Sequence, residues 1–585
     1  MKATNTTSPD HYQKVVNCQY ACPAQTPVPE YIRLISEKRY SEAYLLNWHS
    51  NLLPGVLGRV CDRPCESACR RARLEESPVS ICRLKRVAAD HKQEIKSFLP
   101  MAPEHKNGKR VALIGAGPAA LSAARDLMLT GYHVVLFDRE QKAGGMMRSQ
   151  IPSFRLPDST LDEEVNFVLD MGVETRFGHN IDSMRTLLDE NFDAIFVATG
   201  APNGRQLYLP GLKTAKQKVQ LGLNWLASVN FGHVTEVSPR VVVLGGGNTA
   251  MDCCRTALRC GAKNVKAVVR SSFEAMKSSE WEKQDVLKEG IEILNHHVPK
   301  RYVFKERKFI GVEFETVISV YKNGQRTLVP TGDKPVLIEC DQVLVAIGQD
   351  VSFPWIERDL GIGFDKWEQP ELDKKSLQST LPKVFFGGDA AFGPENIITA
   401  VAHGQTAARS IDLFCQQLPL DEYPKLEHSM TSQKMGVHEW RYQNQVSNEH
   451  RQTVPHLSDK KALSDLNAEI ELGFDEQLAI TEALRCLSCD VQTVFNAQRC
   501  ISCNACEDIC PIDCINFIEN DNEETLRKNL RVPATDPNQE LYVSAELSTH
   551  QVLVKDENLC LHCGLCAERC PTGAWDMQKF IINNK

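Results

Sequence analysis

Apolar residues in this chain come in short runs, and in its middle two of those runs end alike. RVALI at 110–114 reads as a strand that breaks at Gly115, and LSAARDLMLTG at 121–131 follows with helical character. HVVLFD at 133–138 predicts a second strand. The order recurs: RVVVL at 240–244 breaks at Gly245, and NVKAVVR at 264–270 reads as the strand that follows. Strand, glycine turn, helix and strand make a βαβ unit, so the pattern predicts two α/β units with parallel sheets. Residues 416–481 show little periodicity and many charged and amide side chains, which predicts a linker that wraps over other domains. They lack the length and charge bias of a disordered tract. No apolar run is long enough to cross a bilayer.

A chain of 585 residues is too long for one hydrophobic core, so three or four domains are expected. The 42% hydrophobic and 24% charged fractions are those of an ordinary soluble globular protein. A net charge of −8 gives no sign of a nucleic-acid or anionic-membrane surface. The opening MKATNTTSPDHYQK has no apolar core of a signal peptide. The expectation is a cytoplasmic protein, and there 22 cysteines are informative, because disulfides are disfavoured and clustered thiols read as metal ligands or redox groups. Six lie in residues 18–82 and eleven in 486–570. The remaining five, Cys253, Cys254, Cys260, Cys340 and Cys415, fit small core residues.

CISCNACEDICP at 500–511 and CLHCGLCAERCP at 560–571 each show the C-x2-C-x2-C-x3-C-P spacing of a 4Fe–4S ferredoxin. Three thiolates on one short loop cap three irons, and the fourth cysteine reaches the other cluster. One cluster should therefore take Cys500, Cys503, Cys506 and Cys570, and the other Cys560, Cys563, Cys566 and Cys510. Zinc needs four ligands and seldom uses this triple spacing. The 48 residues between the motifs exceed what a two-cluster ferredoxin needs, which predicts a surface insertion near 520–545. Cys514 is surplus and reads as a buried structural thiol.

The glycine turns carry the second chemistry. Gly115, Gly117 and Ala120 precede a helix, and Asp138 ends the next strand. Such glycines let the backbone approach a pyrophosphate at a helix N-terminus, and the acid holds a ribose hydroxyl. Gly245, Gly247 and Ala250 repeat the pattern, but there the second strand ends in Arg270, which suits the 2′-phosphate of NADP; the alternative is a solvated strand-end arginine. Hydride leaves nicotinamide as a two-electron unit and iron–sulfur clusters take electrons singly, so a flavin is needed between them, and FAD is the expected second dinucleotide.

The stretches IGAGPAALSAARDL, IPSFRLP (151–157), ATGA (198–201), VVVLGGGNTAMD, VLVAIGQ and FFGGDAAFGPENIITAVAHGQTAA (385–408) resemble the flavoprotein family that includes the glutamate synthase small subunit and dihydropyrimidine dehydrogenase. The resemblance implies that the first unit binds FAD and that the second, inserted in it, binds NADPH. It assigns Gly115, Gly117, Asp138, Gly145, Thr199, Gly388 and Asp389 to FAD, and Gly245, Gly247, Asn248, Thr249 and Arg270 to NADPH. Relatives continue the Arg270 position with further arginines; this chain has Ser271 and Phe273, which thins the phosphate clamp.

The resemblance extends to NCQYACPAQTPVPE (17–30) and GRVCDRPCESAC (58–69), which look like the family's helical iron–sulfur domain. Cys18, Cys22, Cys61, Cys65, Cys69 and Cys82 are too few for two all-cysteine clusters. The family's leading E-A-x-R-C-x-x-C stretch is missing from the front and appears as EALRCLSC at 482–489, where Cys486 and Cys489 bring the count to eight. The interleaving of relatives groups Cys18, Cys69, Cys486 and Cys489, leaving Cys22, Cys61, Cys65 and Cys82. The residue that closes the second group in relatives aligns better with Lys85, which is no ligand. The alternative is one N-terminal cluster, with the Cys486–Cys489 pair a structural or zinc-binding remnant.

The expected architecture is multidomain. A helical iron–sulfur domain spans 1–105, and two Rossmann-like α/β domains follow, FAD-binding at 106–238 with 340–415 and NADPH-binding at 239–339. The linker is 416–481, and an α+β bacterial-ferredoxin-like domain closes the chain at 482–585. The expected function is electron transfer between NADP(H) and a low-potential acceptor or donor through FAD and 4Fe–4S clusters. No Ser-His-Asp or Cys-His arrangement asks to be catalytic; His403 and His562 read as structural, or as influences on flavin and cluster. The chain has no room for the FMN-binding barrel of dihydropyrimidine dehydrogenase, so substrate chemistry should lie on a partner in an oligomer or hetero-complex. The partner would be a 2-oxoacid:ferredoxin-type oxidoreductase or a glutamate synthase large subunit. The alternatives are a freestanding NADPH:ferredoxin oxidoreductase and a non-catalytic redox sensor or scaffold.

Overall fold

The computed structural model describes residues 1–6, 11, 14–75, 77–322, 325–421, 427–435, 439–440, 447–534 and 540–583. The chain divides into two compact units, one of Met1–Phe98, Glu422–Val454 and Gly473–Lys585, the other of Leu99–Asp421 and Pro455–Leu472. Among the described residues no helix is long and apolar enough to cross a membrane.

The unit of Leu99–Asp421 and Pro455–Leu472 holds two five-stranded parallel sheets. In the first, the glycine-bearing strand Arg110–Ile114 is central; His133–Asp138 and Glu174–Phe177 lie to one side, Ala194–Val197 and Val384–Phe386 to the other. Such strands are covered on both faces, which is why RVALI and HVVLF are continuous apolar runs and not alternating ones. In the second sheet Arg240–Leu244 is central, flanked by Asn264–Val268 and Glu292–Leu294 on one side and by Gln342–Val345 and Val219–Leu221 on the other. The second sheet thus reaches beyond the expected 239–339. A central strand buried on both faces needs a neighbour at each edge; Gln342–Val345 supplies the second one just past the expected boundary, and Val219–Leu221 pairs on its outer side. An antiparallel sheet built on His297–Lys305 and Lys308–Lys322 fills the crossover. Helix Ile397–Cys415 packs on helix Pro118–Leu129 so closely that a Cβ on Gly404 would lie 2.2 Å from the Ala119 carbonyl oxygen. Residues of the expected linker pack here too: Leu457, Ala462 and Ile470 close over Phe154.

The other unit combines a helical part with two three-stranded antiparallel sheets. Helix Val28–Ser36 opens with prolines that need no intrahelical partner and buries Tyr31, Ile32 and Ile35 on one face. Helix Pro54–Val60 meets helix Ile81–His91 at Gly58, where a Cβ would lie 2.6 Å from Arg86 Cα. One sheet pairs Glu427–Ser432 and Val491–Phe495 with the two edges of Trp575–Asn583; the other orders Ile515–Glu519, Gln551–Asp556 and Leu541–Val543. The described part of the expected linker therefore includes an edge strand of the C-terminal sheet, while its residues 422–426, 436–438 and 441–446 lie outside the described residues. The insertion between the cysteine motifs is more than a surface loop. Its helix Glu523–Lys528 buries Leu526 against Leu530, Ala534, Leu541, Val543, Val552 and Val554, a small core of its own; residues 535–539 are outside the described set.

Candidate functional site

Three cavities in the cysteine-rich unit are lined by thiols. One brings together Cys18, Cys69, Cys486 and Cys489 with Arg70 and Ile32. A second holds Cys500, Cys503, Cys506 and Cys570, and a third Cys510, Cys560, Cys563 and Cys566 together with the surplus Cys514. These are the groupings expected for three of the four clusters. Among the described residues no three His, Cys, Asp or Glu side chains converge closely enough to hold a single metal ion. Thiols that ring a cavity without converging suit a cluster, whose irons lie at its corners, better than they suit zinc. Burial, and then Cys489, Cys69 and Cys486, push the Cys18 thiol far above its ordinary pKa. Without metal, four such thiolates could not stay ionised side by side.

The distant Cys486–Cys489 pair is held in place by buried charge. Arg485 is fully buried; it pairs with Glu482 at 2.8 Å and donates to the carbonyls of Ser77, Pro78 and Glu449 at 3.0–3.1 Å. Glu482 in turn accepts from the backbone N–H of Ser80 and of Gln452, both at 2.7 Å. Just past the pair, Asp490 receives a two-pronged bond from Arg33 at 2.8 and 3.0 Å. Arg485 thus satisfies the backbone carbonyls of residues 77–78, some four hundred residues away in sequence.

The fourth group, Cys22, Cys61, Cys65 and Cys82, is buried around Lys85, itself 3% exposed. Cys82 and Lys85 lie three residues apart on helix Ile81–His91 and so share a face. The Cys82 thiol donates to the carbonyls of Leu57 and Gly58 at 3.1 and 3.3 Å. Burial pulls the Lys85 pKa down, but the surrounding cysteines outweigh it and the net shift is upward. In the C-terminal module Cys514 lies 3.5 Å from Cys510, sulfur to sulfur, and its hydrogen bond holds the Cys510 thiol down to about 6. His562, fully buried, accepts no stray charge: burial and then Arg70, which it touches, hold it well below the ordinary imidazole range.

The first glycine crevice opens at the C-terminal end of Arg110–Ile114, between the two halves of its sheet, where ligands bind in such folds. Gly115 has φ +99°, and a Cβ there would lie 2.5 Å from the Ala198 carbonyl oxygen. Gly145, at φ +52°, faces Gly117 across the crevice, with a Cβ-to-Cα approach of 2.9 Å. Ala120 is buried on the helix that starts after Gly117. One oxygen of Asp138 accepts from the Ala116 N–H at 2.7 Å and the other from Glu140 N–H at 2.8 Å, which aims the carboxylate at the turn. Thr199 Oγ1 and His403 Nδ1 are buried and find no hydrogen-bond partner among the described residues. Gly388 (φ +59°) leads into Asp389, whose carboxyl is pushed up to about 6 by burial. A close-approach backbone, an aimed carboxylate and two orphaned polar atoms fit a bound dinucleotide.

The second crevice repeats the first. A Cβ on Gly245 (φ +144°) would lie 2.1 Å from the Ala346 carbonyl oxygen, while Gly247 faces open space at the start of helix Asn248–Arg259. Asn248 Oδ1 accepts from Ser279 N–H at 2.9 Å, and Thr249 lies half-buried beside it. Arg270 is exposed past the end of strand Asn264–Val268. Sequence reasoning missed a second cation: Arg326, on strand Gln325–Pro330, donates to the Arg270 carbonyl at 3.4 Å. No local pattern could have found it, because the contact spans 56 residues. Arg155 of the IPSFRLP stretch ties the two crevices together by bonding Asp252 at 2.7 and 2.8 Å and pairing with Glu282.

Residues 109–404 match the family model described as pyridine nucleotide-disulphide oxidoreductase. Residues 12–97 match dihydropyrimidine dehydrogenase domain II, 4Fe-4S cluster, and residues 499–574 a 4Fe-4S dicluster domain. The chain is 32% identical over 504 residues to the NADPH-Fe(3+) oxidoreductase subunit beta of Geobacter sulfurreducens, covering 81% of this chain and 75% of that one. It is 32% identical over 505 residues to the NADP(+)-dependent formate dehydrogenase subunit beta of Moorella thermoacetica, covering 81% and 70%. Against the glutamate synthase [NADPH] small chain of Azospirillum brasilense the identity is 30% over 425 residues, covering 68% and 86%. The chain is an NAD(P)H oxidoreductase whose cofactors are FAD, NADP(H) and 4Fe–4S clusters. Its glycine crevices lie in the matched stretches, as do the thiols lining the three cavities except Cys486 and Cys489, and the chain belongs to the pyridine nucleotide-disulphide oxidoreductase family.

Proposed function

We propose that this chain is the NADP(H)-reactive subunit of a larger complex, exchanging electrons between NADP(H) and a partner that carries the substrate site. The observation that carries the reading is the joining, in one chain, of two dinucleotide crevices to cavities ringed by cysteines. A flavin accepts hydride from nicotinamide as a pair of electrons and releases them singly, which iron–sulfur clusters require. In the first crevice Gly115, Gly117, Ala120 and Gly145 would hold the backbone open for the pyrophosphate, Asp138 would bind the ribose, and Thr199, Gly388 and Asp389 would meet the rest of FAD. In the second, Gly245, Gly247, Asn248 and Thr249 would cradle NADP(H), with Arg270 and Arg326 on its 2′-phosphate. The clusters would take Cys18, Cys69, Cys486 and Cys489; Cys22, Cys61, Cys65 and Cys82; Cys500, Cys503, Cys506 and Cys570; and Cys510, Cys560, Cys563 and Cys566. Domain limits follow the same assignment, with the NADP(H) sheet widened by residues 219–221 and 342–345.

Three relatives that are by name a beta subunit or a small chain support a hetero-complex. The partner class is an oxidoreductase of the 2-oxoacid, glutamate synthase or formate type. Purification at native expression level should bring down a second subunit in fixed ratio; a lone chain that reduces ferredoxin at full rate would overturn the complex. Dye reduction reads the nucleotide site. Arg270→Met and Arg326→Met should each raise the KM for NADPH about tenfold, roughly the loss of one charge-assisted bond, and leave NADH unchanged. Equal effects on both nucleotides would refute the phosphate assignment.

A further inference from the structure

Lys85 is 3% exposed on the helix face it shares with Cys82, and the titratable groups ranged around it are the thiols of Cys61, Cys22, Cys65 and Cys82. Among the described residues no carboxylate pairs with it. The acids nearby are already committed: Glu66 accepts from the Cys82 N–H at 2.9 Å and from Arg451 at 2.6 Å, and Asp90 pairs with Arg59 at 2.9 Å and Arg86 at 2.8 Å. An ammonium buried without an anion is strongly unfavourable, so a fold that keeps one needs a negative group beside it. The other thiol site of the helical part differs: its cations, Arg485 and Arg70, are bonded to Glu482, Asn17 and backbone carbonyls.

We propose that Lys85 is the built-in counter-charge of a 4Fe–4S cluster held by Cys22, Cys61, Cys65 and Cys82, and that it raises the reduction potential of that one cluster. The proposal rests on the ligand set given above. A four-thiolate cluster carries net negative charge in both redox states and more of it when reduced, so a fixed ammonium stabilises the reduced state preferentially. The placement explains the helix: Cys82 gives the fourth thiol and Lys85, one turn further on the same face, gives the charge. Lys85 is a positioning residue in this sense and touches no substrate.

The test is iron and acid-labile sulfide analysis with an EPR-monitored redox titration of the full chain and of Lys85→Met and Lys85→Arg. The wild type should hold about 16 irons. In Lys85→Met one midpoint should move to lower potential, with a tenfold fall in the reduced-to-oxidised ratio at fixed poise, ~59 mV for one electron; Lys85→Arg should keep the wild-type value. Loss of about 4 irons in Lys85→Met alone, with Lys85→Arg fully loaded, also supports the counter-charge. Full iron with no moved midpoint in Lys85→Met overturns it, as does equal iron loss in both variants. A wild-type count of about 12 irons overturns the ligand set itself and the counter-charge with it.

Discussion

At the scale of single residues, the glycines and cysteines did most to make this chain readable. Gly115 and Gly245 sit where backbone approaches backbone, at 2.5 and 2.1 Å to a would-be Cβ, so only glycine fits and the motif survives as a visible signal. Arg326 and Lys85 were not readable in the same way, because their roles depend on neighbours brought in by the fold. Asp389 gives a residue-scale prediction. Burial raises its carboxyl to about 6, above the unfolded value of 3.8. The native state therefore binds a proton that the unfolded chain has already lost, and stability falls as pH rises from about 4 to about 6. In flavin-free protein, Asp389→Asn should remove this loss, gaining up to about 3 kcal/mol over the wild type at pH 7 and little at pH 4. Denaturant titrations at both pH values measure it; a pH-independent difference would refute the burial account.

At the scale of elements, periodicity found the central strands and missed the edges. Arg110–Ile114 and Arg240–Leu244 stand out as apolar runs because both faces are covered. Val219–Leu221 is three residues long and half-buried, too short for any period to show. Glu427–Ser432 is an edge strand whose partner lies some 150 residues away, and nothing local announces such a pairing. The helix pair Pro54–Val60 and Ile81–His91 was hidden for another reason: it depends on Gly58, which reads as a helix-breaker until its neighbour is known. Gly58→Ala places a Cβ 2.6 Å from Arg86 Cα, backbone that cannot swing aside. It should cost about 3 kcal/mol, the upper range for an overpacked core. Since Cys61 directly follows the first of these helices and Cys82 lies on the second, the variant should also lose about 4 irons. Thermal unfolding and iron analysis together check it; full iron at unchanged stability would refute the contact.

At the scale of the molecule, the two ends of the chain are one unit. The spacing of the C-terminal motifs made two cavities legible from sequence alone, since six of the eight proposed ligands lie on two short loops. The cavity of Cys18, Cys69, Cys486 and Cys489 could be reached only by counting thiols and by likeness to relatives. In the full chain, Cys486→Ser with Cys489→Ser should lower iron from about 16 to about 12 while the signals of the two C-terminal clusters persist. Retention of all the iron would show the pair to be a bystander. The pinning of residues 482–490 onto residues 77–80 and Arg33 also sets a timetable. A ribosome makes Cys18 and Cys69 first and must add more than four hundred residues before their partners emerge. Under the proposed ligand set that pocket gains its four thiols only once residues 486–489 have been made, so a filled pocket certifies that synthesis has passed residue 489.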